Sequence, residues 1–295
     1  MKLTWSKIAL ALGFVASSAA FNAAQAASLV GLSTDNQIGV FDSANVAAAA
    51  FVNISGLSSG ESLIGIDLRP SNNTIYGIST SNNVYTVNAY SGAATFITAL
   101  NTSIINASLG YGFDFNPMAD FAGNASLRLV SSAGNNYAVN VNNGVVGNLA
   151  GANIGTGFSA VAYTGSTPAG APTTTPTLYY VNGGTDTLNV NTAVGAFNAP
   201  NIQEVGKLNA NIASVNGFDI FADGSAFLAA TVGDGNGQTR LFDVDLVTGK
   251  ASQLGQFGRG VIGLAAAPSA VPVPAAAWLF GSALIGFAGF RRKSV

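Results

Sequence analysis

A phrase that returns at nearly constant spacing limits the fold of this chain more than any other feature. Gly65-Ile66-Asp67-Leu68-Arg69-Pro70 reappears as Gly112-Phe113-Asp114-Phe115-Asn116-Pro117 and as Gly217-Phe218-Asp219-Ile220. Looser copies lie within residues 158–163 and 260–265, so the steps between positions 65, 112, 160, 217 and 263 are 47, 48, 57 and 46 residues. After each opening phrase come further short runs that alternate apolar with small polar residues, such as Thr74-Ile75-Tyr76-Gly77-Ile78 and Asn83-Val84-Tyr85-Thr86-Val87-Asn88. Asn, Gly and Asp turns bound them, the pattern of antiparallel strands joined by tight hairpins. Four such strands at this period describe a blade. A lone four-stranded sheet cannot bury both faces, so blades must stack around an axis. The sequence therefore predicts an all-β propeller.

The ends of the repeat supply the blade count. The last phrase, residues 260–265, opens a unit and stops, whereas residues 29–42 carry later strands with no opening one. Joined, they complete one blade, so four internal units and one shared unit make five blades closed by pairing of the two ends. Closure of this kind also covers sheet edges that would otherwise aggregate. The longer third step contains Pro168, Pro172 and Pro176, and reads as a surface loop.

Composition narrows the chemistry. The chain has no Cys and no His, which removes disulfides, thiolate nucleophiles, Ser-His-Asp triads and the usual zinc sites. Carboxylate chemistry and oxygen-ligated metals such as calcium are what survive. Hydrophobic residues make up 48% of the chain and charged residues only 8%. Setting aside Lys2, Lys7, Arg291, Arg292 and Lys293 leaves six cations facing 13 carboxylates. A surface of that kind cannot cover a phosphate backbone, so no nucleic-acid partner is expected.

Both ends read as processing segments. Lys2 and Lys7 precede an apolar run over residues 8–20, and Ala24-Gln25-Ala26 offers a signal peptidase a small-x-small site before Ala27. At the other end Val271-Pro272-Val273-Pro274 interrupts any strand, residues 275–290 carry no charge, and Arg291-Arg292-Lys293 follows. As a helix, sixteen residues span about 24 Å, which crosses a bilayer with help from interfacial Trp278 and snorkelling cations. The expected organisation is a signal peptide over 1–26, a propeller over 27–268, and a proline motif, transmembrane helix and basic tail over 269–295.

The tail, from Val271-Pro272-Val273-Pro274-Ala275 through Trp278 to the basic triplet, resembles the PEP-CTERM sorting signals in their Val-Pro-Leu-Pro-Ala variant, with Val273 where the variant has Leu. The resemblance implies processing by an exosortase after secretion. It also implies passage through a membrane-anchored, periplasm-facing stage to the outer surface or extracellular matrix of a Gram-negative-type bacterium. The middle resembles a bacterial domain of unknown function, number four-three-nine-four. The resemblance rests on Gly31-Leu32-Ser33-Thr34-Asp35-Asn36, residues 65–70, residues 112–117 and Ala160-Val161-Ala162-Tyr163-Thr164. Where that family usually runs Arg-Leu-Arg after the residue matching Asp120, this chain inserts residues 121–126 before Leu127-Arg128. The family carries no established activity, so this resemblance speaks to architecture alone.

Asp67, Asp114 and Asp219 are the candidate site residues, one near the end of each of three opening strands. They could surround the central opening, binding calcium or serving as a hydrolase pair. Alternatively each accepts backbone hydrogen bonds from its own turn. Regular recurrence favours the structural role, because a catalytic pair needs two unlike environments. Arg69, beside Pro70, reads as tied to a blade turn, and Asp234-Gly235-Asn236-Gly237-Gln238 lacks the distant Glu of a calcium loop. Tyr76, Tyr85, Tyr163, Tyr179 and Phe218 read as core between blades. Two functions remain: a non-catalytic surface or matrix protein meeting exopolysaccharide or other surface components, or a carboxylate-dependent glycan hydrolase.

Overall fold

The computed structural model describes residues 26–150, 153–166, 170–234 and 237–269. Of the signal peptide expected over 1–26 all but Ala26 lies outside them, and so do the proline motif, transmembrane helix and basic tail expected beyond Ser269. Among the described residues no helix is long and apolar enough to cross a membrane.

Five four-stranded antiparallel sheets form the molecule. Blade 1 runs outward through β4 (Leu63–Arg69), β5 (Thr74–Ser79), β6 (Asn83–Val87) and β7 (Ala94–Ala99). Blade 2 comprises β8 (Tyr111–Phe115), β9 (Ser126–Ser131), β10 (Asn136–Asn140) and β11 (Val146–Gly147). Blade 3 comprises β12 (Phe158–Tyr163), β13 (Leu178–Asn182), β14 (Thr187–Asn191) and β15 (Ile202–Lys207). In blade 4, β16 (Ile212–Ile220) is followed by β17 (Ala226–Val232), β18 (Thr239–Val244) and β19 (Ala251–Gln256). Blade 5 takes its inner strand β20 (Val261–Ala266) from the end of the chain. Its other strands, β1 (Ser28–Ser33), β2 (Gln37–Asp42) and β3 (Val52–Asn53), come from the beginning. The split unit closes the ring as expected, with Leu29 opposite Ala266 and Gly31 opposite Leu264.

Each junction between neighbouring blades holds its own apolar cluster. Tyr76, Ile78 and Val84 of blade 1 meet Phe113, Phe115 and Leu127 of blade 2, whereas Leu29 and Phe41 of blade 5 meet Phe227 and Leu241 of blade 4. Three further clusters fill the remaining junctions. The core is thus a ring of five wedges with no centre of its own, and burial falls outward: β8 is buried throughout, β7 mostly exposed. Of the aromatics assigned to these junctions, Tyr76, Tyr85, Tyr163 and Phe218 are buried and Tyr179 is partly so.

The glycine of the repeated phrase explains how the inner strands come so close. A Cβ on Gly112 would lie 2.6 Å from the Ala160 Cα of the next blade, and one on Gly217 would lie 2.4 Å from the Leu264 nitrogen. Side chains two residues apart share a strand face. The aspartate of Gly-x-Asp therefore points the same way, toward the inner strand of the following blade.

The helix that follows the first strand of blade 2 was not anticipated. A short helix, α1 (Pro117–Phe121), follows β8, capped by Asn116 Oδ1 accepting from the Ala119 N–H at 3.1 Å, with Pro117 in its first turn. The Asn-Pro pair carries that signal; the strand period around it concealed the helix.

Candidate functional site

The innermost strand of each blade has one edge with no strand beside it. Asn116, Thr164, Phe221 and Ala267 donate their N–H groups into their own sheets, at 2.9, 2.9, 2.8 and 3.0 Å. By alternation, the preceding residues, Phe115, Tyr163, Ile220 and Ala266, point theirs toward the axis, and Leu68 holds the matching place in blade 1. Leu68, Phe115, Tyr163 and Ile220 are buried and Ala266 partly so, and their N–H groups need acceptors; a buried unpaired one costs about 1–3 kcal/mol.

Three carboxylates meet all five. Asp67 accepts from Leu68 through Oδ1 at 2.7 Å and from Phe115, in the next blade, through Oδ2 at 2.7 Å. Asp219 accepts from Ile220 and, through Oδ2 at 2.5 Å, from Ala266 of the next blade. Asp114 accepts from Tyr163 of the next blade alone. Its own successor, Phe115, is already bonded to Asp67, so the Asp114 Oδ1 atom is left buried without a partner among the described residues. Three carboxylates thus serve five N–H groups, with Asp114 Oδ1 left over. Blades 3 and 5 contribute Ala162 and Ala265 at the aspartate position, and both are buried.

The structure thus gathers all three candidate aspartates at the axis. Their donors are the strand edges of their own and following blades, where a turn of the same blade had been expected. One oxygen from each lies within 4.8 Å of one from each of the others. Burial pushes the Asp67 and Asp114 carboxyls well above the usual range, and the neighbouring carboxylates push them further. Burial likewise raises Asp219, to about 6.

The axis opens on one side of this cluster. A cavity of about 170 Å³ has Asp67 and Asp219 in its wall together with Leu68, Pro70, Phe221 and Ser269, on the face where the inner strands end. Ser166 lines it too, and its hydroxyl has no partner among the described residues. On the other side, at the level of Gly65, Gly112, Gly217 and Gly263, the gap shrinks to about 10 Å³, room for a single water at most.

Among the described residues no arginine reaches the carboxylates as a counter-ion. Arg69 donates to Asp120 of α1 at 2.7 Å and to Asn142 at 2.8 Å, locking blade 1 to blade 2. The turn beside it joins the same carboxylate, with the Ser71 N–H 3.0 Å from Asp120 Oδ2. Arg128 is held by Asn136, Asn198 and Tyr163. Asp234, at the start of the glycine-rich loop, pairs with Arg240, and Gly235 and Asn236 lie outside the described residues.

Fold and site together define a five-bladed β-propeller with a carboxylate belt around a one-sided axial cavity. The sequence profile described as Domain of unknown function (DUF4394) matches residues 37–265, and the chain belongs to that family. No curated protein matches. Among solved structures, a structural genomics protein of unknown function from Bacteroides thetaiotaomicron is 13% identical with a TM-score of 0.43, covering 77% of this chain and 57% of its own. A calcium-binding protein, regucalcin, from Agrobacterium tumefaciens is 12% identical with a TM-score of 0.42, covering 79% of this chain and 72% of its own. The chain thus spans little more than half the length of the first of these. Likeness at this level carries no argument about ligands.

Proposed function

We propose that this chain is an exported, non-catalytic propeller of the bacterial surface or extracellular matrix. In this reading a signal peptidase cuts before Ala27, and an exosortase acts on the tail around Pro272 and Pro274. The mature ring then serves as a binding or structural module for exopolysaccharide or another surface component. The observation that carries the non-catalytic part is the use made of the carboxylates. Each of the three carboxylates holds at least one backbone N–H group, so no pair of acids is free to trade protons with a substrate, as glycoside hydrolysis requires. Support for the tail reading comes from the chain ends. The Ala267 N–H bonds to the Ser28 carbonyl at 3.0 Å and Ser269 lines the cavity, so Ser28 and Ala267 lie together on one face of the ring.

The test combines cell fractionation with a polysaccharide hydrolysis screen. Wild-type protein should reach the surface or matrix fraction without its tail and cleave nothing. A Pro272→Ala, Pro274→Ala variant should stay in the membrane fraction with the tail attached. Release of that variant like wild type would overturn sorting. Hydrolysis lost on Asp67→Asn, Asp114→Asn substitution would replace the module with a hydrolase.

A further inference from the structure

The backbone N–H groups at the axis need only oxygen acceptors, and neutral Asn or Ser oxygens would serve. The chain instead places three carboxylates there, fully buried, with oxygens within 4.8 Å of one another and no cationic side chain among them. Such a group of negative charges is costly unless a positive species sits between them. Asp114 is 1% exposed, and among the described residues its Oδ1 has no hydrogen-bond partner. A proton on that oxygen would itself lack an acceptor, whereas a metal ion would use it as a ligand. Bonds to Leu68, Phe115, Tyr163, Ile220 and Ala266 fix the three carboxylates in place, so ordering them for a ligand costs little.

We propose that Asp67, Asp114 and Asp219 form a calcium site on the propeller axis, with Asp114 Oδ1 as its dedicated ligand and the one-sided cavity as its entrance. The spacing admits the ion: oxygens bound to one calcium ion lie no more than about 5.2 Å apart, and these three are within 4.8 Å of one another. Magnesium demands near-ideal octahedral geometry and gives up its waters reluctantly, so three fixed, buried carboxylates favour calcium. Each carboxylate oxygen that accepts one N–H keeps a second lone pair for the ion. Calcium takes six to eight oxygens, so water entering by the cavity completes the shell. The Ser166 hydroxyl, unpartnered in that cavity wall, is placed to hold such a water. The ion joins the inner strands of blades 1, 2 and 4, and so acts as an axial rivet. The site stands apart from the export reading and holds wherever the protein resides.

The test uses the full chain, stripped by chelator and titrated with calcium chloride by calorimetry and by thermal melting. One ion per chain should bind, and the melting temperature should climb with calcium concentration. Magnesium chloride at equal concentration should give a smaller rise. Asp114→Asn keeps an acceptor for the Tyr163 N–H but removes the free charged oxygen. It should weaken calcium binding at least about tenfold, in keeping with the dependence of such sites on ligand charge. Should circular dichroism show Asp114→Asn unfolded, Asp114→Ser, which removes the charge without setting an NH2 group against an N–H, takes its place under the same criterion. Absence of calcium binding by wild type, an equal response to magnesium, or undiminished affinity in the folded variant would each overturn the site.

Discussion

Asp114 and Asp219 occupy the same position of the same repeated phrase, yet their surroundings differ. Asp219 follows an Ala-bearing blade, so the Ile220 N–H has no acceptor from behind and Asp219 takes it, along with Ala266 ahead. Asp114 follows an Asp-bearing blade. The Phe115 N–H is already taken by Asp67, and Asp114 bonds only forward, to Tyr163. The identity of the preceding blade, more than local sequence, thus decides whether a carboxylate is saturated or keeps a free oxygen. Repetition of a residue does not imply repetition of its chemistry.

Removing β20 breaks this comparison most severely. Deleting residues 260–267 takes away the Ala266 N–H that Asp219 holds and uncovers the clusters on both sides of blade 5. No cooperative melting transition should remain in scanning calorimetry. A deletion variant that melts at the wild-type temperature would refute the closure.

Alanine substitution sharpens the contrast. Asp219→Ala orphans two N–H groups, one buried at Ile220 and one partly buried at Ala266, at up to about 1–3 kcal/mol each, and Asp114→Ala orphans one. In chelated protein Asp219→Ala should cost about 2–6 kcal/mol, lowering the melting temperature by roughly 5–20 °C at 2–4 °C per kcal/mol. Asp114→Ala should cost about half as much or less, because it also relieves repulsion within the cluster. Equal losses in urea unfolding would remove the distinction between the two residues.

The smallest effect is on pH dependence. Asp67, Asp114 and Asp219 all have folded-state carboxyls raised above their unfolded value near 3.8, Asp219 to about 6. The native state therefore holds more protons than the unfolded chain between about pH 4 and pH 6, and its stability falls as pH rises. The stability these groups contribute is fully present below about pH 4 and is lost as pH climbs through their folded values. Asp35, Asp223 and Asp245 shift the other way, but their dependence lies below pH 4 and does not oppose the trend. Chelated protein should accordingly unfold at lower urea concentration at pH 7 than at pH 5, and calcium should shrink the difference. A rise in stability over that interval would contradict the raised carboxyls.

Much of the architecture was legible along the chain. The 46–57-residue period, the turn residues and the split unit at the two ends announce five blades and their closure, because strand alternation and hairpin turns are local properties. The phase of Gly-x-Asp also placed Asp67, Asp114 and Asp219 at the same level. Helix α1 was legible in Asn116-Pro117, though the repeat masked it. What only tertiary structure decided is who bonds to whom across blades: Asp67 to Phe115 at a separation of 48 residues, Asp219 to Ala266 at 47, Arg69 to Asp120 at 51. An unpaired inner edge needs acceptors wherever folding brings them, and ring order determines which oxygens are used. The sequence shows three equivalent aspartates; closing the ring makes one of them different.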